Sequence, residues 1–348
     1  MRLAISLRLA NDDWAAASTW VTEAERLGVD CVWSAEAWGH DAVTPLAFLA
    51  ARTTRIGLGS GIVQAGTRTP ALVAMTAMSL ASMSGNRFRL GLGVSGPQVI
   101  EGWHGIRFDR PVRRMRETVE IVRQLCRGER SSYRGEIYEL PLPGGEGKPL
   151  RAGARPQPAV PIYLATLAPR SLELTGEIAQ GWLGTSFMPE HAEIFTGPIA
   201  TGAARAGRAL ADLDLQAGGA VAFGDDLERL IAPRKPGLAF TLGAMGSRQH
   251  NFYNEAYQRA GYPDDARAVQ QLWLEGRREE AAARVPDRLV LQSNLLGTDE
   301  MVRARVRAYR DAGITTLRVE PASGVLEERL ATLGRLMDQV RAVAAERP

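Results

Sequence analysis

Eight short apolar runs, each followed by a stretch with helical spacing, constrain this chain more than any other feature. The runs fall at residues 3–7, 31–34, 56–63, 88–94, 160–164, 182–183, 215–223 and 316–319. Between the first two, Trp14, Ala17, Trp20, Val21, Ala24 and Leu27 recur at the spacing of an amphipathic helix, which Gly28 closes. Further helices are predicted over 45–52, with Pro45 suited to a first helical position, and over 70–83, 111–126, 169–178, 190–208, 299–312 and 325–345. Strand followed by helix eight times in 348 residues predicts an α/β fold, and a (β/α)8 TIM barrel over a doubly wound open sheet. The whole chain, 1–348, is then one barrel domain. Two stretches break the period: 128–158, rich in Pro and Gly, reads as an insertion after the fourth helix, and 225–296 as a helix-and-loop insertion after the seventh strand.

Composition excludes several classes of function. The chain is 45% hydrophobic and 23% charged, which suits a packed core. Its formal net charge is only +3, and Arg113, Arg114, Arg116 and Arg123 alternate with Glu117 and Glu120 as on an ordinary solvated helix face. There is no basic stripe interleaved with aromatics, so no nucleic-acid partner is expected. No apolar run nears the roughly 20 residues of a membrane helix, and the first run is too short for a signal peptide, so a cytoplasmic protein without a membrane partner is expected. Cys31 and Cys126 stand apart at no metal-ligand spacing; both read as buried thiols, with no metal site.

A barrel of this kind keeps its chemistry at the C-terminal ends of the strands. At the third strand, Gly57, Gly59, Ser60 and Gly61 interrupt an apolar run and weaken it, which suits a bulge where a barrel strand bends. At the fourth, residues 91–96 match the dinucleotide fingerprint G-x-G-x-x-G. Pro97 follows, however, the next predicted helix starts near residue 111, and no strand ends in an acid about 20 residues on, so a nicotinamide site is not expected. After the second strand, Glu36 lies between Trp33 and Trp38, placed for proton transfer or for pairing with an arginine at the mouth. At the fifth, a helix N-terminus after Pro169, with Arg170, suits an anion. Residues 240–262, FTLGAMGSRQHNFYNEAYQRAGY, read as a substrate lid carrying Arg248, His250, Asn251 and Tyr253, or equally as an aromatic face packed on a neighbouring helix or second subunit. Residues 129–158 are placed to cover the same pocket from the other side.

Four phrases at these strand ends carry a resemblance: VWSAEAWGHDAVTPLAFLA, IGLGSGIVQAGTRTPAL, RFRLGLGVSGPQVIEGWHG and PIYLATLAPRSLELTGEIAQGWL. Together they resemble the bacterial luciferase-like superfamily, most of all the branch that uses the deazaflavin coenzyme F420 and includes methylenetetrahydromethanopterin reductase. The likeness runs from residue 1 to about 185 and more loosely beyond. It implies a bulge with a non-prolyl cis peptide at Gly61-Ile62 beneath the deazaflavin ring, with Ile62 and Val63 against the ring and Gln64 at its carbonyl edge. It places Val94, Ser95, Gly96, Pro97 and Gln98 beside the coenzyme, and Ala165, Thr166, Leu167, Ala168 and Arg170 at its phosphate tail, although both glycines of the family's fifth-strand pattern are missing here. Glu36 matches a position where related reductases carry Asp followed by His. Ala37 replaces that His, which leaves Glu36 and His40 as the catalytic candidates.

Trp38, Trp103, His104, His250 and Tyr253 are the candidate substrate contacts, and Arg68 is placed to face a phosphate or solvent. The resemblance implies an enzyme that exchanges a hydride between the C5 carbon of F420 and a small organic substrate; the apolar, aromatic stretch 240–262 suits a lipophilic one, and a homodimer is expected. Three alternatives stay open: an FMN-dependent two-component monooxygenase, a non-catalytic F420-binding protein, and a cofactor-free barrel hydrolase or isomerase acting through Glu36.

Overall fold

In the computed structural model, which describes residues 1–7, 12–246 and 251–346, parallel strands close on themselves. The strands are β1 (Arg2–Ser6), β2 (Cys31–Ser34), β3 (Gly57–Ser60), β4 (Val63–Gln64), β5 (Phe88–Gly93), β6 (Tyr133–Arg134), β7 (Glu139–Leu140), β8 (Ile162–Ala165), β9 (Gly181–Leu183), β10 (Asp214–Ala217), β11 (Ala220–Phe223), β12 (Leu295–Gly297) and β13 (Thr316–Pro321). β1, β2, β3, β5, β8, β9, β10 and β13 pair in that order, and β13 pairs back onto β1 with Arg2 opposite Thr316. This is the eight-stranded parallel barrel expected from the alternation.

Period-two alternation sorts side chains into two cores. Leu317 and Val319 of β13, with Leu215 of β10, enter the layer between barrel and helices. The barrel interior is filled by Ala4, Cys31, Trp33, Tyr163 and Leu183. The rings of Trp33 and Tyr163 meet edge to face, with centroids 5.2 Å apart. At the N-terminal end of the strands Asp214 accepts from Thr315 Oγ1 at 2.6 Å, Thr316 Oγ1 at 2.7 Å, Gln216 Nε2 at 2.8 Å and Tyr163 Oη at 2.9 Å, and pairs with Arg2 at 2.8 Å. Burial raises the Asp214 pKa, but these donors outweigh it and hold the carboxyl below its usual range. Both cysteines are buried free thiols, as expected, pushed up to about 12 at Cys31 and about 11 at Cys126 by burial.

Three local expectations need correction. The runs 56–63 and 215–223 are each two strands. The second breaks at Gly218, where a Cβ would lie 2.0 Å from the Arg318 carbonyl oxygen, so the chain leaves the barrel there and continues as β11 beside β12. The second helix starts at Val43 and not at Pro45, because Asp41 Oδ1 accepts from the backbone N–H groups of Val43 and Thr44 at 2.7 and 2.8 Å.

The helix Pro111–Cys126 does not present an ordinary solvated face. The Glu117 side chain is fully buried and accepts from the backbone N–H groups of Glu136, Ile137 and Tyr138 at 2.8, 3.0 and 2.9 Å and from Arg113 Nε at 2.7 Å. It thereby clamps the β6–β7 hairpin of the first insertion to the outside of the barrel. Arg116 forks onto Glu177 of the helix Pro169–Ile178 at 2.8 and 2.6 Å.

In the second insertion the helices Lys235–Ala244, Phe252–Arg259, Pro263–Leu274, Arg278–Ala283 and Asp287–Ser293 share an apolar cluster that includes Leu242, Tyr257, Val269 and Leu289. Among the described residues no helix is long and apolar enough to cross a membrane.

Burial raises the Glu117 pKa, but the three backbone donors and Arg113 win and leave it lowered in the fold. Its stabilising effect is therefore present above the unfolded pKa and lost as pH falls through the folded one. Glu117→Gln is expected to lower unfolding free energy by about 1–3 kcal/mol at neutral pH. Urea denaturation of the two proteins should show their midpoints converging in acid.

Candidate active site at the barrel mouth

A cavity of about 220 Å³ opens at the C-terminal ends of the strands. Its walls come from Ser6 at the end of β1, Trp33 and Ala35 at β2, Gly61 and Ile62 between β3 and β4, Ala165, Thr166 and Leu167 at β8, Leu183 and Thr185 at β9, and Arg318 on β13. Tyr253, from the helix Phe252–Arg259, completes it. The Gly61-Ile62 peptide between β3 and β4 is cis.

The glycines of β3 have a concrete neighbour. A Cβ on Gly59 would sit 2.3 Å from Trp33 Cε3, inside the indole's van der Waals surface. The ring lies where that side chain would be, and its Nε1 donates to Gln216 Oε1 at 3.0 Å. Gln216 in turn donates to Asp214 at 2.8 Å, so the aromatic wall of the mouth is tied to the polar plug at the far end of the barrel.

A second cavity of about 300 Å³ adjoins the loop after β2 and is lined in part by Glu36, His40, Thr67, Arg68, Trp103 and His104. Arg68 forks onto Glu36, Nη1 to Oε1 at 2.5 Å and Nη2 to Oε2 at 2.8 Å, and Oε2 also accepts from the Ala42 N–H at 3.2 Å. The hydrogen bonds that Arg68 donates to Glu36 raise the Arg68 pKa. His40 Nε2 lies 2.8 Å from Asp12 Oδ1, and its ring meets Trp14 edge to face.

Among the residues singled out from the sequence, Gly61, Ile62, Ala165, Thr166, Leu167 and Tyr253 meet around the mouth cavity. Val63 does not: it points into the layer between barrel and helices, because alternate residues of a strand face opposite ways. Gln64 is fully buried, and its Nε2 donates to the carbonyls of Glu36 and Ala37 at 3.4 and 3.3 Å, so it braces the loop after β2 and is absent from the mouth wall. Glu36 takes the arginine-paired alternative and shares the second cavity with His40, Trp103 and His104.

Val94, Ser95, Gly96, Pro97 and Gln98 line neither cavity; Gly96 caps the short helix Pro97–Ile100. Trp38 is 54% exposed and also lines neither, while Ala168 caps the helix Pro169–Ile178 and Arg170 is exposed at its start. Of the expected lid, Arg248 and His250 lie outside the described residues. Asn251 caps its own helix and donates to Leu242 O at 2.9 Å, and Phe240 packs on Trp273. Most of that stretch is therefore packing within the insertion, with Tyr253 reaching the mouth. None of residues 129–158 lines either cavity; the hairpin is held against the outer helix instead.

Ser6, Thr185 and Arg318 were not anticipated, although Ser6 and Thr185 stand at or just past the C-terminal end of a barrel strand and Arg318 lies within β13. Those positions were the signal available for them.

A closed (β/α)8 barrel with a walled apolar slot at the C-terminal ends of its strands has the architecture of barrel enzymes that hold a small molecule at the mouth. The chain belongs to the luciferase-like monooxygenase family, whose sequence model matches residues 1–316. It is 40% identical over 321 residues to a Mycobacterium tuberculosis protein named as a coenzyme F420-dependent oxidoreductase, with 90% of this chain and 92% of that one covered. It is 28% identical over 302 residues to the 5,10-methylenetetrahydromethanopterin reductase of Archaeoglobus fulgidus, covering 85% of this chain and 86% of that one. The solved coenzyme F420-dependent tetrahydromethanopterin reductase of Methanopyrus kandleri superimposes with a TM-score of 0.80 at 22% identity, over 96% of this chain and 97% of that one, and supports the shared fold.

Gly59→Ala is expected to push the Trp33 indole off Gln216 and destabilise the protein by about 1–3 kcal/mol through overpacking. Gly39→Ala, where a Cβ meets nothing within 4 Å, should stay within about 0.5 kcal/mol of wild type. Near-ultraviolet circular dichroism, with chemical denaturation, distinguishes the two variants.

Proposed function

We propose that the chain is a coenzyme F420-dependent oxidoreductase that exchanges a hydride with an organic substrate of largely lipophilic body. The observation that carries this reading is the mouth slot, in which the backbone at Gly61 and the side chains of Trp33, Ile62, Leu167 and Leu183 present apolar surface to a flat guest. Pockets for whole drug-sized ligands span about 300 to 1,000 Å³. A slot of about 220 Å³ therefore suits a ring system, with the coenzyme's tail passing out over the rim. The exposed start of the helix Pro169–Ile178, with Arg170, lies next to Ala165–Leu167 and suits an anionic tail.

When bound, F420 supplies a carbon centre that gives or takes two electrons as a hydride. The protein's part is positioning and exclusion of water. Ile62 and Trp33 hold the guest in place from walls that are themselves locked by packing and by Gln216. Glu36 keeps the loop after β2 in register through Arg68; both its oxygens are engaged, so we assign it a positioning role. Among the mouth-lining residues, Tyr253 carries the ionisable hydroxyl suited to exchanging a proton with substrate.

Titrating the purified protein with F420 and with FMN tests the reading through quenching of tryptophan emission. F420 should saturate the protein, with FMN weaker by at least about tenfold. Tight FMN binding without F420 binding would instead favour a flavin-dependent monooxygenase.

A further inference from the structure

Arg318 differs from the other arginines around the barrel interior. Arg68 is held by Glu36, Arg2 at the closed end reaches Asp214, and Arg89, on the interior face of β5, forms no ion pair among the described residues but has the charges of Asp214 and Asp30 near it. Arg318 projects from the interior face of β13, is partly buried, and lines the mouth cavity. Its Nη2 donates to Gly184 O at 2.7 Å, and among the described residues it forms no ion pair. The segments 8–11 and 247–250 contain no acidic residue. Burial lowers its pKa, but a guanidinium remains charged at any working pH.

A cation drawn out of water without a countercharge is costly, and the cost is relieved when a guest brings the opposite charge. A guanidinium offers five N–H donors in a planar fork, which matches a carboxylate or a similar oxygen anion. Tyr253 lines the same cavity; burial raises its pKa and the Arg318 charge draws it partway back, which places the two groups together. The facing walls, Trp33, Ile62, Leu167 and Leu183, are apolar.

We infer that Arg318, with Tyr253 beside it, is an oxyanion subsite of the mouth that takes an anionic oxygen on an otherwise apolar guest. The identity of that guest rests on the F420 reading above, while the charge requirement does not. Two sources can supply the oxygen. One is the deazaflavin ring, where a C5–H bond formed from an arriving hydride displaces an electron pair onto the N1 and C2-oxygen edge with no proton required. The other is a substrate carboxylate.

Tryptophan-fluorescence titrations at one ionic strength separate these sources. Four probes are used, oxidised F420, reduced F420, benzoate and benzamide, against wild type, Arg318→Met and Arg318→Lys. Wild type should prefer reduced over oxidised F420, or benzoate over benzamide, by at least about tenfold. Arg318→Lys should keep most of that preference and Arg318→Met should lose it. Loss confined to the F420 pair assigns the oxygen to the ring, and loss confined to the benzoate pair assigns it to the substrate.

A wild-type protein with neither preference overturns the subsite without recourse to a variant. So does an Arg318→Met protein that melts like wild type and keeps both preferences. Failure of the F420 reading looks different: neither redox form binds wild type, while the benzoate preference and its loss in Arg318→Met persist.

Discussion

The indole of Trp33 occupies the middle of the barrel, and much of the functional end is arranged around it. Its face takes the space that a side chain at Gly59 would need, its edge meets Tyr163, and its N–H is held by Gln216. Gln216 and Tyr163 both lead to Asp214, which also gathers Thr315, Thr316 and Arg2 at the closed end. A buried polar network of this kind is favourable only when its members are satisfied together, and here five side chains converge on Asp214. The consequence for function is a rigid aromatic wall at the mouth, fixed from below rather than by the mobile reach of a surface side chain.

The cations show how the two ends of the barrel differ. At the closed end Arg2 meets a carboxylate whose pKa is held low by its donors, the signature of a satisfied structural site. At the mouth Arg68 is neutralised by Glu36, but Arg318 is not neutralised by any described residue. A stable protein tolerates an unneutralised, partly buried charge where binding supplies the missing partner. Arg318 and the apolar wall therefore lie at the same end of the barrel.

The barrel was legible because its signal is repeated: eight apolar runs at strand length, each followed by helical spacing, leave few topologies. The ends of elements were less legible, since they depend on contacts distant in sequence. Gly218 breaks the seventh run because the β13 backbone passes within reach of it, and Glu117 is buried because a hairpin about twenty residues downstream folds back onto it. Of the residues named from strand ends and from the family resemblance, Ile62, the residues 165–167 and Tyr253 line the mouth cavity. Val63 and Gln64 lie off that cavity: Val63 faces the layer between barrel and helices because alternate residues of a strand face opposite ways, and Gln64 is fully buried. Arg318 carried no local signal beyond its place on the eighth strand, since what distinguishes it, a place in the mouth cavity with no ion pair among the described residues, exists only in three dimensions.

The proposed function rests on a deazaflavin ring lying against Gly61, Ile62 and Trp33 at the barrel mouth. A crystal structure of the protein soaked with F420 measures this directly. The prediction is a ring in van der Waals contact with Ile62 and the Trp33 indole, with its tail leaving over the loop 165–168. A ring seated in the neighbouring cavity of Glu36, Arg68 and Trp103, with the slot of Ile62 and Trp33 filled by solvent, would contradict it.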